Sequence, residues 1–212
     1  MALILRTMAG LALGPTVGLA LAPPALAHHV MDGALPGTAW QGLLSGLGHP
    51  VIGLDHLAFV VGVGAMAYLM GRVMLLPLVL VAGTIAGCVL HIHGYNLPAP
   101  ELVVAATVAM AAALVAMRIK PSGGLLAGFL AVAGLFHGYA YGESIVGAET
   151  APLAAYVIGF GIIQGCIAVG AALALRAVVG RHYLTEAAAM GFAGVGLALV
   201  AAVALATAAL AG

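Results

Sequence analysis

Charged side chains are scarce in this sequence. Of its 212 residues, 6 are Lys or Arg and 6 are Asp or Glu, so 6% of the chain is charged and the formal net charge is zero. Soluble domains contain about a quarter charged residues, whereas this chain is 65% hydrophobic. The composition therefore excludes an ordinary soluble domain. Because no basic run occurs, it also excludes nucleic acid as a partner.

Cysteine is equally rare. Cys88 and Cys166 lie 78 positions apart in apolar stretches, so the sequence indicates neither a disulfide framework nor a zinc site of paired cysteines. A phosphate-binding loop of the form GxxxxGK[ST] is missing as well. We therefore do not expect an ATP-driven activity of this chain alone.

The first 27 residues are typical of a secretory signal peptide. Arg6 supplies the positive start, residues 8–21 are apolar, and Ala25-Leu26-Ala27 matches an A-x-A cleavage site. The pattern predicts a signal peptide over 1–27, cleaved after Ala27, and a single transmembrane domain over 28–212. The alternative is an uncleaved first membrane helix, which the short apolar core and three prolines disfavour.

Six apolar runs follow, of the length needed to cross a hydrocarbon core about 30 Å thick as helices. They cover residues 50–70, 73–93, 102–117, 125–141, 151–175 and 187–210. A shorter segment, 38–47, precedes Gly48-His49-Pro50, and we expect Pro50 in the first turn of the next helix. The predicted fold is an all-α membrane protein with six transmembrane helices plus a short re-entrant or interfacial helix.

The distribution of charge supports an even number of spans, because cytoplasmic loops carry an excess of Lys and Arg. With the amino terminus outside, the inner loops contain Arg72, Arg118, Lys120, Arg176 and Arg181, and the outer segments contain Asp32, Glu101, Glu143 and Glu149. We predict a multi-pass protein of a bacterial inner membrane with both mature termini in the periplasm.

Small residues dominate the predicted helices, which favours close helix packing in lipid. Spacings such as Gly83-x3-Gly87 and Gly161-x3-Gly165 are weak signals for a dimer, because glycine is so frequent that they arise by chance. A homo-oligomer and an accessory periplasmic or membrane partner both stay open.

Histidine is the polar residue that stands out. An ionisable side chain within a span costs a few kcal/mol and is a functional candidate by default. Seven of the eight histidines map to the outer side or the outer half of the bundle: His28, His29, His49, His56, His91, His93 and His137. His182 lies beside Arg181 in an inner loop and is interpreted as a solvated surface residue.

The segment His49-x5-Asp55-His56 is the strongest local arrangement. Its histidines are seven positions apart, so two turns of one helix would direct both imidazoles the same way. Asp55 adds a carboxylate. The alternative is a buried Asp–His pair that only fixes helix packing.

Two further groups lie at the outer ends of later spans. His91 and His93 would point about 200° apart in a regular helix, so we expect one of them in a shared site unless the helix unwinds near Gly94. His137 is followed six residues later by Glu143. That acid either folds back over the mouth of the bundle or is an exposed loop residue.

Imidazole and carboxylate together suit Ni, Co, Zn, Cu(II) or Fe, and affinity alone does not choose among them. We therefore expect a transported or bound divalent transition-metal ion and no prosthetic group. A mature chain starting at His28 would add its amine and imidazole as a chelating pair. Met66, Met70 and Met74 are interpreted as core or lipid-facing residues, and Cys88 as a small apolar packing residue.

The motifs His49-x5-Asp55-His56 and Phe136-His137-Gly138-Tyr139-Ala140-Tyr141-Gly142-Glu143 resemble those of the HupE/UreJ proteins, small bacterial membrane permeases for nickel and, in some branches, cobalt. The resemblance covers essentially the whole chain. It implies a metal-handling role for His49, Asp55, His56, His137 and Glu143, and inward passage of Ni²⁺ or Co²⁺ from the periplasm. In the family pattern the acid often lies one residue later, where this chain has Ser144.

Two other functions are weighed against a permease. An intramembrane zinc-dependent hydrolase would use His56, His91 and His137 with Asp55 around an activated water, but the sequence contains no separate acid/base or nucleophile motif. A metal sensor or assembly module would need an output domain, and the inner loops are short.

Overall fold

The computed structural model describes residues 34–211, so the predicted signal peptide and His28, His29 and Asp32 lie outside the described residues. This part of the chain forms helices and contains no strand. The helices are α1 (Ala39–Ile52), α2 (Leu54–Leu69), α3 (Leu75–Ile92), α4 (Pro100–Ala116), α5 (Gly123–Glu143), α6 (Thr150–Gly180) and α7 (Glu186–Ala211). The all-α class is confirmed for residues 34–211.

Four of these helices, α3, α5, α6 and α7, are long and apolar enough to cross a membrane. The bent pair α1 and α2 qualifies as a fifth span when the two are taken together, and α4 is apolar but has only 17 residues. Each predicted apolar run thus corresponds to a helix, and the chain has the form of a multi-pass membrane protein. The number of six spans stays a prediction.

The expectation for Pro50 is wrong. Helix α1 continues through Pro50 to Ile52, and the chain leaves the helix at Gly53, where ψ is 103° and α2 turns away by 79°. Proline has no N–H to donate to the carbonyl of Gly46, which weakens the last turn of α1. As a result, His49 and His56 lie on two helices on either side of a bend, not two turns apart on one helix.

Helix α2 is the centre of the bundle. It packs against α6, α4, α7 and α3, and eleven of its sixteen residues are buried, on all sides of the helix. A helix that is apolar all round belongs in the core, and the start of this one carries Asp55 and His56 into the bundle.

Glycines set the distance between the helices that surround α2. On α3, a Cβ at Gly87 would overlap the carbonyl oxygen of Leu135, and on α5 a Cβ at Gly138 would overlap that of Thr84. Gly46 on α1 meets the carbonyl oxygen of Tyr156 on α6 in the same way. The Gly83-x3-Gly87 spacing is therefore used within the chain, where it brings α3 against α5.

The positive charges gather at one end of the bundle. All five Lys and Arg residues of the described chain are exposed, and they lie in the segments 70–74, 117–122 and 176–185. A contact of 3.4 Å between Tyr68 Oη and Glu186 Oε2 joins the end of α2 to the start of α7 there. The α1–α2 bend and the start of α6 lie at the opposite end. Which end faces the periplasm stays a prediction.

The close approach of α3 and α5 yields a stability test. We expect Gly87→Ala to destabilise the protein by about 1–3 kcal/mol, as overpacking does, because the added methyl group meets backbone that has to move. Gly128→Ala on α5 is the matched control, since no atom of the described residues with which it could collide lies within 4 Å of its added Cβ. The measurement is the thermal unfolding midpoint in detergent, and equal midpoints for the two variants would contradict the packing described.

Candidate functional site

Three histidines meet at the end of the bundle away from the positive charges. His49 lies in the last turn of α1, His56 in the first turn of α2 and His137 near the end of α5, and each is only 1% exposed. The bend at Gly53 and the glycine contact between α3 and α5 determine where these side chains lie. Buried imidazoles at membrane depth must find partners within the protein, because lipid offers none.

His56 and His137 are in direct contact. Their Nδ1 atoms lie 2.8 Å apart, and His137 Nε2 lies 3.0 Å from the hydroxyl of Thr107 on α4. That hydroxyl donates its hydrogen to the carbonyl of Val104 at 2.7 Å, so it accepts from His137 Nε2–H. His137 Nδ1 is then the acceptor for the proton on His56 Nδ1. Thr107 therefore sets the tautomer of the whole pair.

Packing fixes the ring of His137 in addition to the hydrogen bonds. Phe59 on α2 stacks on it with a centroid distance of 4.3 Å and an interplanar angle of 17°. Phe59 is fully buried, and it lies three residues after His56 on the same helix. The lone pair of His137 Nδ1 is therefore directed at His56 by contacts from α2 and α4.

His49 is held by hydroxyl groups. Its Nδ1 lies 3.1 Å from Ser144 Oγ and 3.0 Å from Tyr156 Oη. Both hydroxyls also reach the carbonyl oxygen of Tyr141, at 3.1 Å and 2.8 Å. When both donate to that carbonyl, His49 Nδ1–H donates to them, and Nε2 carries the lone pair that can bind a metal ion.

Tyr141 lies between the histidines. Its ring centroid is 4.8 Å from that of His49 and 4.7 Å from that of His56, while the two imidazole centroids are 5.7 Å apart. The ring is fully buried, and its hydroxyl has no hydrogen-bond partner among the described residues. An unpartnered buried hydroxyl beside two imidazoles is a potential oxygen ligand.

Asp55 supplies the nearest carboxylate in sequence. It is half-buried in the first turn of α2, and its Oδ1 accepts the backbone N–H of His56 at 2.8 Å. A carboxylate at a helix amino terminus is favourable there. Asp55 thus orients the residue that contacts His137, which is compatible with the packing role considered from the sequence.

The remaining predicted site residues lie outside this contact. His91 is half-buried and packs on Tyr139 with a centroid distance of 4.2 Å, whereas His93 is exposed and its Nδ1 donates to the carbonyl of Val89 at 2.8 Å. Glu143 is exposed. Within residues 34–211, no three His, Cys, Asp or Glu side chains are placed to hold one metal ion together.

Sequence reasoning missed four residues of the site. Tyr141 could have been found, because it lies four residues after His137 and so on the same helix face. Ser144 lies seven residues after His137, close to the same helix face, and could have been found in the same way. Thr107 and Tyr156 gave no signal, since a single threonine or tyrosine in an apolar helix has many other uses.

Comparisons with known proteins agree with the family resemblance of the histidine motifs. A family model described as HupE / UreJ protein matches residues 16–204. The chain is 38% identical over 144 residues to Protein HupE of Rhizobium leguminosarum bv. viciae, an alignment that covers 66% of this chain and 71% of that protein. No solved structure matches the chain.

The hydrogen bond from His137 to Thr107 can be tested separately from the histidines. We expect Thr107→Val to weaken Ni²⁺ binding by about 10–100-fold, the usual effect of removing a partner that orients a ligand, while the protein stays folded. Thr207→Val is the matched control, because Thr207 makes the same local bond, to the carbonyl of Ala204 at 2.9 Å. Equal Ni²⁺ affinity of the two variants by calorimetry would contradict the role of Thr107.

Proposed function

The chain belongs to the HupE/UreJ family, and we propose that it is a permease that carries Ni²⁺ or Co²⁺ across a bacterial inner membrane from the periplasmic side. The family is associated with nickel and cobalt transport. The metal ion is the cargo of the protein, and the lipid bilayer is its surroundings. Zn²⁺ and Cu²⁺ bind the same ligand types and are competitors to be measured.

The contact between His56 and His137 is the observation that carries the proposal. Two imidazole nitrogens that bind one ion at about 2.0–2.1 Å lie about 3 Å apart. The Nδ1 atoms of this pair are 2.8 Å apart and share a proton. A divalent ion can bind between these two nitrogens after a small movement of the rings, provided that the proton of His56 moves from Nδ1 to Nε2, and Thr107 would keep His137 in the tautomer that binds the ion.

Further potential ligands lie near His56 and His137 but do not form a complete coordination shell with them. We propose that His49, Asp55 and the hydroxyl of Tyr141 approach the ion when it is present. A conducting site has to bind its ion well enough for entry and weakly enough for release. An arrangement with two nitrogens in contact and other groups a few ångströms away suits an ion that has to leave again.

Capture of the ion at the outer mouth is the second part of the proposal. His91 lies near the end of α3 and packs against Tyr139 of α5, and the exposed His93 and Glu143 lie at the ends of the same two helices. In this proposal these side chains, with His28 and His29, collect the ion and deliver it to the buried histidines. A carboxylate at the mouth attracts cations over a distance of about 10 Å at moderate salt.

The zinc hydrolase receives no support. His91 packs on Tyr139, and the described residues contain no group of three ligands of the kind that a catalytic zinc ion requires. The set of His56, His91 and His137 with Asp55 is therefore not assembled within residues 34–211.

The transport test compares radiolabelled Ni²⁺ and Co²⁺ uptake into proteoliposomes. We expect saturable uptake by the unaltered protein and a loss of about 100-fold or more for His56→Ala and His137→Ala, because each removes one of the two nitrogens in contact and leaves the other without its partner. His182→Asn is the control. This histidine is exposed at the opposite end with φ of 58°, a conformation that asparagine tolerates.

Matched amounts of folded protein in the vesicles are verified by size-exclusion chromatography before reconstitution. No uptake by the unaltered protein would overturn the permease. Uptake that both histidine variants retain would overturn the assignment of the site but not of the function.

A further inference from the structure

A second buried polar pair lies away from the histidines. Thr84 on α3 and Gln164 on α6 have no exposed surface, and Thr84 Oγ1 lies 3.3 Å from Gln164 Oε1. Among residues 34–211, Gln164 is the only glutamine or asparagine that is buried. A primary amide without exposed surface, within a chain that spans a membrane, needs a reason.

One atom of the Gln164 amide has no hydrogen-bond partner among the described residues. Thr84 Oγ1 has a single hydrogen, which it donates to the carbonyl of Val81 at 2.9 Å, so at Gln164 the hydroxyl can only accept. Gln164 Nε2 has no hydrogen-bond partner among residues 34–211. Rotation of the amide by half a turn lets Nε2 donate to Thr84, and the carbonyl oxygen then becomes the atom that faces the interior without a partner.

The position of Gln164 along the bundle follows from the packing of α2 on α6. Both helices run away from the histidine cluster, and Gly64 packs against the backbone of Ala168. His56 lies eight residues before Gly64, and Phe160 lies eight residues before Ala168, so His56 and Phe160 are at the same level of the bundle. Gln164 is four residues farther along α6, which is about 6 Å deeper in the bundle.

Phe160 lies between the two polar groups on α6. Tyr156, Phe160 and Gln164 are spaced by four and share one helix face. The ring of Phe160 is 5.5 Å from that of Tyr156 and 5.3 Å from that of Tyr141. An ion that leaves the histidines along this face therefore passes the ring of Phe160 before it reaches the amide.

We propose that the carbonyl oxygen of Gln164, whose amide is held in place by the hydroxyl of Thr84, forms a second, deeper station for the transported cation. This inference rests on the proposed permease function. Neutral oxygen ligands hold a divalent transition-metal ion more weakly than imidazoles do, so an ion that arrives there is retained briefly and moves on. The first station selects the ion, and the second lowers the cost of carrying it past the apolar core.

The first experiment separates transport from binding at the histidines. In proteoliposomes we expect Gln164→Leu to lower the maximal rate of Ni²⁺ uptake by about tenfold, which corresponds to a modest increase of one barrier. Ni²⁺ affinity of the purified protein should stay within about twofold of the unaltered value. Gln41→Leu is the matched control, because Gln41 is the only other glutamine in the chain and lies at the exposed start of α1.

The second experiment does not depend on transport. Gln164→Glu replaces the amide with a carboxylate, which binds divalent ions more tightly. We expect the purified, folded variant to retain one more Ni²⁺ per chain than the unaltered protein, measured by elemental analysis after gel filtration. If the contact between Thr84 and Gln164 only holds α3 against α6, the variant would retain no additional Ni²⁺.

The outcomes distinguish this station from the function on which it rests. Uptake by Gln164→Leu equal to that of the unaltered protein, or an unchanged metal count for a folded Gln164→Glu, would overturn the second station and leave the permease intact. Absence of uptake by the unaltered protein would overturn both. If Gln164→Leu does not fold, the metal count of Gln164→Glu decides.

Discussion

The hydrogen bond between His56 and His137 is the interaction on which the site depends. Lipid offers no partner to a buried imidazole, so each ring must satisfy its nitrogens within the protein. The pair does so by sharing one proton across 2.8 Å, and Thr107 decides on which nitrogen of His137 the other proton lies. A shared proton between two nitrogens is a position that a metal ion can occupy instead.

The close packing of the helices around this contact depends on glycines, which have no side chain. Gly87 and Gly138 let α3 and α5 approach until backbone meets backbone, and Gly46 does the same for α1 and α6. At the end of the bundle away from the positive charges, Ser144 and His49 meet at 3.1 Å. Small residues therefore have a direct consequence for the geometry of the candidate site, since a wider bundle would separate the imidazoles.

The sequence predicted the helical class, the position of every helix to within a few residues and three of the side chains that meet at the site. It could do so because apolar runs and misplaced ionisable residues are both strong signals in a membrane protein. The bend at Gly53 was not predictable from periodicity, because proline is favoured in the first turn of a helix, whereas Pro50 lies in the last turn of α1. The idea that His49 and His56 share one helix face was wrong in its geometry, yet the bend brings the two rings within 5.7 Å of each other. The partners Thr107 and Tyr156 come from helices distant in sequence, and only the tertiary structure shows that they belong to the site.

X-ray absorption at the nickel edge of the Ni²⁺-loaded protein shows directly whether His56 and His137 bind the ion. We expect a first shell of nitrogen and oxygen at about 2.0–2.1 Å with outer-shell scattering from at least two imidazole rings, reduced by one ring in His137→Ala. A first shell that contains sulfur, or one without imidazole scattering, would contradict the assignment of the ion to His56 and His137.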